Sequence, residues 1–296
     1  MKILITGGTG FIGSALCNEL LKNTTNEITV LSRNPENTNP QLKSVTNLKA
    51  IEKDAAYDVV INLAGEPIAD KKWTKQQKQK IISSRIDTTE GIIEYIKHAT
   101  SKPNLLISGS AIGYYGINQS NMDHDENDIP DDSFSSKLCK QWESVALQAN
   151  TYGVRTCLIR TGIVLGKNGG ALKKMLPPFK MGLGGKIGSG EQWMSWIHLD
   201  DLVGIILHCI KQDSLNGPIN GTSPNPSTNN KFTKALGNAL KRPTFMPMPE
   251  IVIKALMGQM GIELLLSGKK ILPKKALENG YQFQYPTLDS ALNNIL

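Results

Sequence analysis

No stretch of this 296-residue chain is both long and apolar: the most apolar late segment, residues 250–268, is interrupted by Lys254, Gln259 and Glu263. A membrane span needs about 20 nearly uninterrupted apolar residues, so none is expected. The first apolar run ends at once in glycines rather than in the layout of a secretory leader, which suggests a cytoplasmic protein. Cysteine is scarce too. Cys17, Cys139, Cys157 and Cys209 lie far apart, without a C-x-x-C pair or a Cys/His ligand spacing. That spacing argues against a disulfide framework or a metal module, and buried free thiols are expected instead. Aromatic residues make up only 6 % of the chain, and the surplus of 33 Lys+Arg over 26 Asp+Glu, net +7, is scattered. Without basic residues interleaved with an aromatic platform, nucleic acid is not the expected partner; a small phosphate-bearing ligand would use the same positive field. The densest basic run, "KKWTKQQKQK" from Lys71 to Lys80, reads as a solvated helix face.

What the chain does have is rhythm. Its 40 % hydrophobic, 20 % charged make-up is that of a soluble globular protein. Strand-like runs, "KILIT", "EITVLS", "DVVINLAG", "NLLISGS" and "RTCLIR", alternate with helical patterns over Ile12 to Lys22, about Lys72 to Ser83, Asp87 to Ala99 and Phe134 to Thr151. This alternation predicts an α/β fold with a doubly wound parallel sheet. After Arg160 the texture changes to a glycine-rich stretch, "KMGLGGKIGSGEQ", a helix near Asp200 to Lys211, and short helical patterns separated by prolines. Proline removes ladder donors, so the tail is not expected to extend the sheet. Residues 1–165, continued by about 195–220, are expected to form a dinucleotide-binding domain, and residues 166–194 with 221–296 a smaller substrate-side domain.

Between the first strand and the first helix stand Gly7, Gly10 and Gly13 at G-x-x-G-x-x-G spacing. The first glycine allows a sharp turn, the second a close approach to a pyrophosphate, and the third close packing of helix on strand. Free amides at the helix start favour the anion. In the first βα turn of a βαβ pattern, that spacing predicts dinucleotide binding.

The stretch "TGGTGFIG" resembles the nucleotide loop of the extended short-chain dehydrogenase/reductases, the group that includes sugar-nucleotide epimerases and dehydratases. More narrowly, "NLAGEPIADKKWT", "SRIDTT", "SGSAIGYYG", "LIRTGIVLG", "MLPPFKMGLGGKIGSGEQWMSWIHLDD" and "LPKKALENGYQF" resemble an epimerase-like branch with its own C-terminal domain. The resemblance implies that Gly7, Thr9, Gly10, Phe11, Ile12 and Gly13 wrap the pyrophosphate. It implies that Leu63, Ala64 and Gly65 pass the cofactor riboses, and that Thr161 and Gly162 lie beneath the nicotinamide. Ser110 takes the place of the family's catalytic serine. The family's Y-x-x-x-K pair, which couples proton transfer to hydride movement, has no counterpart here. Counting back four from Lys137 gives Ser133, from Lys140 gives Ser136, and alignment on Glu143 puts Cys139 and Ser135 at the two positions. Tyr114, with Tyr115 beside it, is the nearest substitute phenol. Arg85 and Glu66 are further candidates for the pocket wall, and His198 is expected to orient the loop that enters the helix at Asp200 and Asp201.

At the end of the second strand, where NAD-preferring proteins carry an acidic residue for the ribose 2′-hydroxyl, "VLSRNP" offers Ser32 and Arg33. A guanidinium suits a 2′-phosphate, so NADP(H) is the expected cofactor. The expected function is that of an NADP(H)-dependent oxidoreductase or epimerase-like enzyme acting on a small metabolite, anionic ones included. The alternative is a dinucleotide-binding regulator of a partner protein with little turnover. Pairing through the helices at Asp87 to Ala99 and Phe134 to Thr151 would make a homodimer.

Overall fold

The computed structural model describes residues 1–33, 35, 39–118 and 122–296. Its centre is a seven-stranded parallel sheet made of β1 (Lys2–Thr6), β2 (Glu27–Leu31), β3 (Lys43–Val45), β4 (Val59–Asn62), β5 (Leu105–Ala111), β7 (Arg155–Thr161) and β11 (Gly217–Gly221). The spatial order is β11-β7-β5-β4-β1-β2-β3. From β1 the chain winds outward through β2 and β3, then crosses back to β4 and winds the other way. The direction therefore reverses between β1 and β4, and the carboxyl ends of all seven strands share one edge. Open α/β sheets bind ligands at such a reversal.

The central strands are nearly all apolar because both faces are covered. In β1, Ile3 and Ile5 face one core with α1 (Phe11–Leu21) and α5 (Leu199–Lys211), meeting Leu16, Leu20, Leu202 and Ile206. Leu4, between them, faces the opposite core, where Ile92, Ile96 and Trp142 come from α2 (Lys75–His98) and α3 (Phe134–Ala146). A slip of one residue in β1 would exchange these faces.

The local readings and the structure differ in three places. The helices expected at 72–83 and 87–99 are one helix, α2. The hydroxyls of Ser84, Thr88 and Thr89 bond back to the carbonyls of Ile81, Ser84 and Arg85 at 3.0, 3.0 and 2.6 Å, so the polar run does not interrupt it. The helix expected through Thr151 leaves the α conformation after Ala146 and continues as a 3-10 helix, Leu147–Tyr152, that ends at left-handed Gly153. The strands β3 and β11 have no clear local signal in the sequence, being short and, in β11, carrying Gly217 and Pro218. Pro218 is tolerated because β11 is an edge strand.

The remaining chain forms two-residue ladders between β6 (Asp123–His124) and β13 (Lys270–Ile271) and between β9 (Trp193–Met194) and β12 (Ser227–Thr228), and a longer one between β8 (Ile163–Gly166) and β10 (Trp196–His198). Helices α4 (Gly170–Lys180), α6 (Asn229–Leu240) and α10 (Leu288–Ile295) enclose a third core of Leu172, Phe179, Trp196, Phe232, Leu236 and Leu292. Helices α7 (Glu250–Met257), α8 (Gln259–Gly261) and α9 (Lys274–Glu278) lie between α6 and α10 in the chain. Besides the hydrogen bond that Asn220 of β11 donates to Leu272 O at 2.9 Å, two carboxylates tie the tail to the helices that cover the sheet. The Glu263 carboxylate accepts from the Phe134 and Ser135 amides at the start of α3, at 3.2 and 2.9 Å. The buried Asp201 carboxylate of α5 accepts from the amides of Gln284 and Tyr285, at 2.8 and 2.9 Å. All four cysteines are buried free thiols. Among the described residues, no helix is long and apolar enough to cross a membrane.

Candidate functional site

The carboxyl edge of the sheet begins with the loop after β1. Gly7 has φ +71°, and a Cβ there would fall 2.6 Å from the Leu63 carbonyl carbon and oxygen, in the segment after β4. Only glycine tolerates both the left-handed backbone and this approach. A Cβ at Gly13 would fall 2.1 Å from the Gly7 carbonyl oxygen, so α1 lies directly on the turn. Gly10 differs. A Cβ there meets only the Gly7 oxygen, at 3.2 Å, so the space above it is open. Gly10 caps α1 without a side-chain hydrogen bond, and the amides of Phe11, Ile12 and Gly13 in its first turn donate to no described residue beside exposed Thr9. Phe11 and Ile12 are half-buried against the first core. The Phe11 ring also occupies the places that side chains at Gly166 and Gly169 would take.

On the same edge, Ser32 is buried just past β2, its amide donating to Val45 O at 2.9 Å. Arg33 follows, exposed and without an ion pair among the described residues. Leu63 and Ala64 continue β4, half-buried, into exposed Gly65. Gly65 is free of a side chain for a reason the resemblance did not supply: a Cβ would fall 2.9 Å from the Arg85 guanidinium carbon. Past β7, Thr161 is half-buried, and a Cβ at Gly162 would fall 2.4 Å from Ser195 O, where β7, β11 and the segment before β10 converge. Thr6, Asn62, Thr89 and Trp142 pin this edge from below: Thr6 Oγ1 donates to Asn62 Oδ1 at 2.6 Å, while Asn62 Nδ2 and Trp142 Nε1 donate to Thr89 Oγ1 at 2.8 and 3.0 Å.

The end of β5 supplies Ser110 and Tyr114. The Ser110 hydroxyl donates to Glu143 Oε1 at 2.6 Å and is 4 % exposed, so it is committed to the interior. Glu143 in turn receives both Nε and Nη2 of buried Arg160, each at 2.9 Å. Arg160 Nη1 donates to the Tyr115 hydroxyl at 3.0 Å, and that hydroxyl donates to Asn220 Oδ1 at 2.6 Å. Burial pushes the Tyr115 phenol well above its ordinary value, against the pull of Arg160, so its phenolate is strongly disfavoured. Tyr114 is half-buried. Arg160 Cζ lies 3.4 Å from its ring centroid, and its hydroxyl bonds to no described residue. Arg160 and Glu143 carry this cluster, and no local motif in the sequence marks either of them. Four residues before Glu143 stands Cys139. Burial and then the Glu143 carboxylate push its thiol up to about 11.

Glu66 lines the segment after β4. Its Oε1 accepts from Gln77 Nε2 at 3.2 Å, and its amide donates to Ser84 Oγ at 2.9 Å. His198 caps α5 directly: its Nδ1 accepts from the Asp200 amide at 3.1 Å, and its ring lies 3.9 Å from that of Tyr285. Asp200 is thus in the first helical turn rather than at the cap. Burial pushes the His198 imidazole below its ordinary 6.5, outweighing the opposite pull of Asp200 and Asp201. The unfolded chain therefore binds a proton before the folded one does as pH falls, and the neutral ring's contribution is complete above 6.5 and lost progressively below it. In urea titrations, His198→Asn, which keeps a capping side chain, should lose less stability than wild type between pH 7.5 and 5.5. Parallel losses would mean that the imidazole is not held neutral. Among the described residues, no group of His, Cys, Asp and Glu is arranged to hold a metal ion.

The geometry matches a set of known proteins. Residues 3–220 match the model of the NAD dependent epimerase/dehydratase family, and residues 248–295 match a domain of unknown function (DUF1731). The chain is 39 % identical to the Arabidopsis thaliana protein named epimerase family protein SDR39U1 homolog, chloroplastic, with 100 % of this chain and 87 % of that one covered. It is 36 % identical to epimerase family protein YfhF of Bacillus subtilis, with 100 % and 98 % covered. The crystal structure of human epimerase family protein SDR39U1 (isoform 2) with NADPH superposes with a TM-score of 0.90 at 36 % identity, over 100 % of this chain and 99 % of that one. With the family match running from β1 to β11 and relatives aligned over the whole chain, the protein belongs to the NAD dependent epimerase/dehydratase family.

Proposed function

We propose that the protein binds NADP(H) along the carboxyl edge of the sheet and acts as an oxidoreductase or epimerase-like enzyme on a small metabolite. The observation that carries this reading is the open space over Gly10, beside the unpaired first-turn amides of α1, with Arg33 on the same edge past β2. The residues fit a dinucleotide: Gly7, Thr9, Gly10, Phe11, Ile12 and Gly13 would hold the pyrophosphate. Ser32 and Arg33 would hold the 2′-phosphate, Leu63, Ala64 and Gly65 the riboses, and Thr161 and Gly162 the nicotinamide side. The relative crystallised with NADPH supports the choice of cofactor.

When bound, the nicotinamide supplies or accepts a hydride. Of the two residues nominated for chemistry, Tyr114 is the one whose hydroxyl is free to meet a substrate oxygen. Ser110 acts in this reading as a positioning residue, through Glu143 and Arg160. Residues 166–194 and 221–296 would supply the substrate-side wall.

Cofactor selection is the test. Arg33→Ala should weaken NADP(H) binding by at least about 1.5 kcal/mol, the lower range for a hydrogen bond to a charged group, and leave NAD(H) affinity nearly unchanged. Calorimetry with both cofactors reads this. Tighter binding of NAD(H) by wild type, or equal losses in the variant, would remove Arg33 as the selector.

A second reading, a dinucleotide-dependent regulator with little turnover, draws on the absent Y-x-x-x-K pair: α3 carries no tyrosine four residues before a lysine. A folded, NADPH-loaded protein that stays fully reduced against a broad carbonyl panel would favour it.

A further inference from the structure

Five arginines occur in the chain, at positions 33, 85, 155, 160 and 242, and three of them are withdrawn from solvent. Arg160 is paired with Glu143, and Arg155 with Asp213 at 3.3 Å. Arg85 has no carboxylate within ion-pair distance among the described residues. Its side chain leaves α2 and lies against Gly65 at the carboxyl end of β4, in the space a Cβ would fill. Nη1 donates to Ile81 O at 3.0 Å and to Glu66 O at 3.1 Å, and Cζ stands 5.3 Å from the centroid of the Trp142 ring. Nε and Nη2 donate to no described residue.

A guanidinium stays charged, and withdrawing it from water without an ion-pair partner is costly; the Glu66 carboxylate favours its charge only from beyond ion-pair distance. Neutral carbonyls satisfy one nitrogen but balance no charge. The free Nε and Nη2 form the edge of the fork that pairs two-to-two with a carboxylate. The side chain lies against the segment after β4, at Gly65 and Glu66, and is close enough to Cys139 of α3 to influence its thiol. Trp142 beneath the fork and the backbone of Gly65 beside it hold the group in a fixed orientation, which suits recognition of one planar anion.

We propose that Arg85 binds the carboxylate of the substrate, so that the enzyme's substrates are small carboxylic acids carrying a carbonyl or hydroxyl group. The proposal rests on the NADP(H) reading for its location, because the cofactor's riboses are assigned to Leu63, Ala64 and Gly65.

The experiment measures NADPH affinity first, by calorimetry, for wild type, Arg85→Met and Arg85→Lys, with thermal melts to establish folding. Pyruvate, 2-oxoglutarate, their methyl esters and inorganic phosphate are then titrated into both the free and the NADPH-loaded proteins. At least one acid should bind wild type and bind Arg85→Met at least about tenfold more weakly, with Arg85→Lys intermediate, the esters weak throughout, and NADPH affinity within about twofold in all three. The proposal is overturned if no acid binds wild type, if the acids bind wild type and Arg85→Met equally, if phosphate alone binds, or if NADPH affinity falls together with acid binding. If wild type fails to bind NADPH, the cofactor reading fails on its own, and the titrations of the free protein still decide the role of Arg85.

Discussion

Gly10→Val is expected to lower dinucleotide affinity at least about a hundredfold, the upper range for overpacking a fitted space, while leaving the melting temperature within a few degrees of wild type. The contrast with Gly13→Val makes the result specific. At Gly13 the first side-chain carbon would fall 2.1 Å from the Gly7 oxygen and 2.7 Å from Gly8 Cα, so α1 would be forced off the sheet and the fold should be lost. At Gly10 the nearest atom is 3.2 Å away and the backbone, with φ −78° and ψ 176°, is open to any residue. The glycine there is not required by the turn itself; it leaves room for what approaches the turn. Calorimetry and a thermal melt on the same samples separate the two effects. Unchanged cofactor affinity in a folded Gly10→Val would remove the phosphate-loop assignment.

Arg160→Met should destabilise the protein by about 3–5 kcal/mol, the cost of leaving one member of a buried ion pair without its partner. Arg160 is 2 % exposed and Glu143 is 5 % exposed, so water reaches neither readily. The loss is larger than for a surface pair because the Glu143 carboxylate would also lose both guanidinium hydrogen bonds, and Tyr115 one. Glu143→Met should cost a similar amount. The double variant should recover much of the loss, since two apolar side chains leave no stranded charge. Urea unfolding of the three variants gives the cycle. A single-variant loss below about 1 kcal/mol would mean that the pair is not dry. The same cluster fixes Tyr114, whose ring rests on the guanidinium, so a folded double variant should also show a changed Tyr114 environment.

The β1–α1–β2 unit could be read almost residue by residue from the sequence. The apolar runs, the glycine spacing and the place of Arg33 past β2 all depend on neighbours within about thirty residues, and sterics of the peptide backbone dictate their conformation wherever they occur. The parallel sheet and the shared edge of its strands' carboxyl ends followed from the same local rhythm. The direction of the Ser110 hydroxyl did not. Its place at the end of a strand suggested a substrate contact, yet it is given to Glu143, 33 residues away. Tyr115 meets Asn220 across 105 residues, and Glu263 reaches the start of α3 across 128. The reason for glycine at position 65, a guanidinium arriving from α2, was likewise invisible from its neighbours. Hydroxyls, carboxylates and guanidiniums can each satisfy several kinds of partner, so spacing alone does not choose among them. The choice is made when folding removes water and leaves each buried charge or donor only the partners that the packed chain brings within about 3 Å.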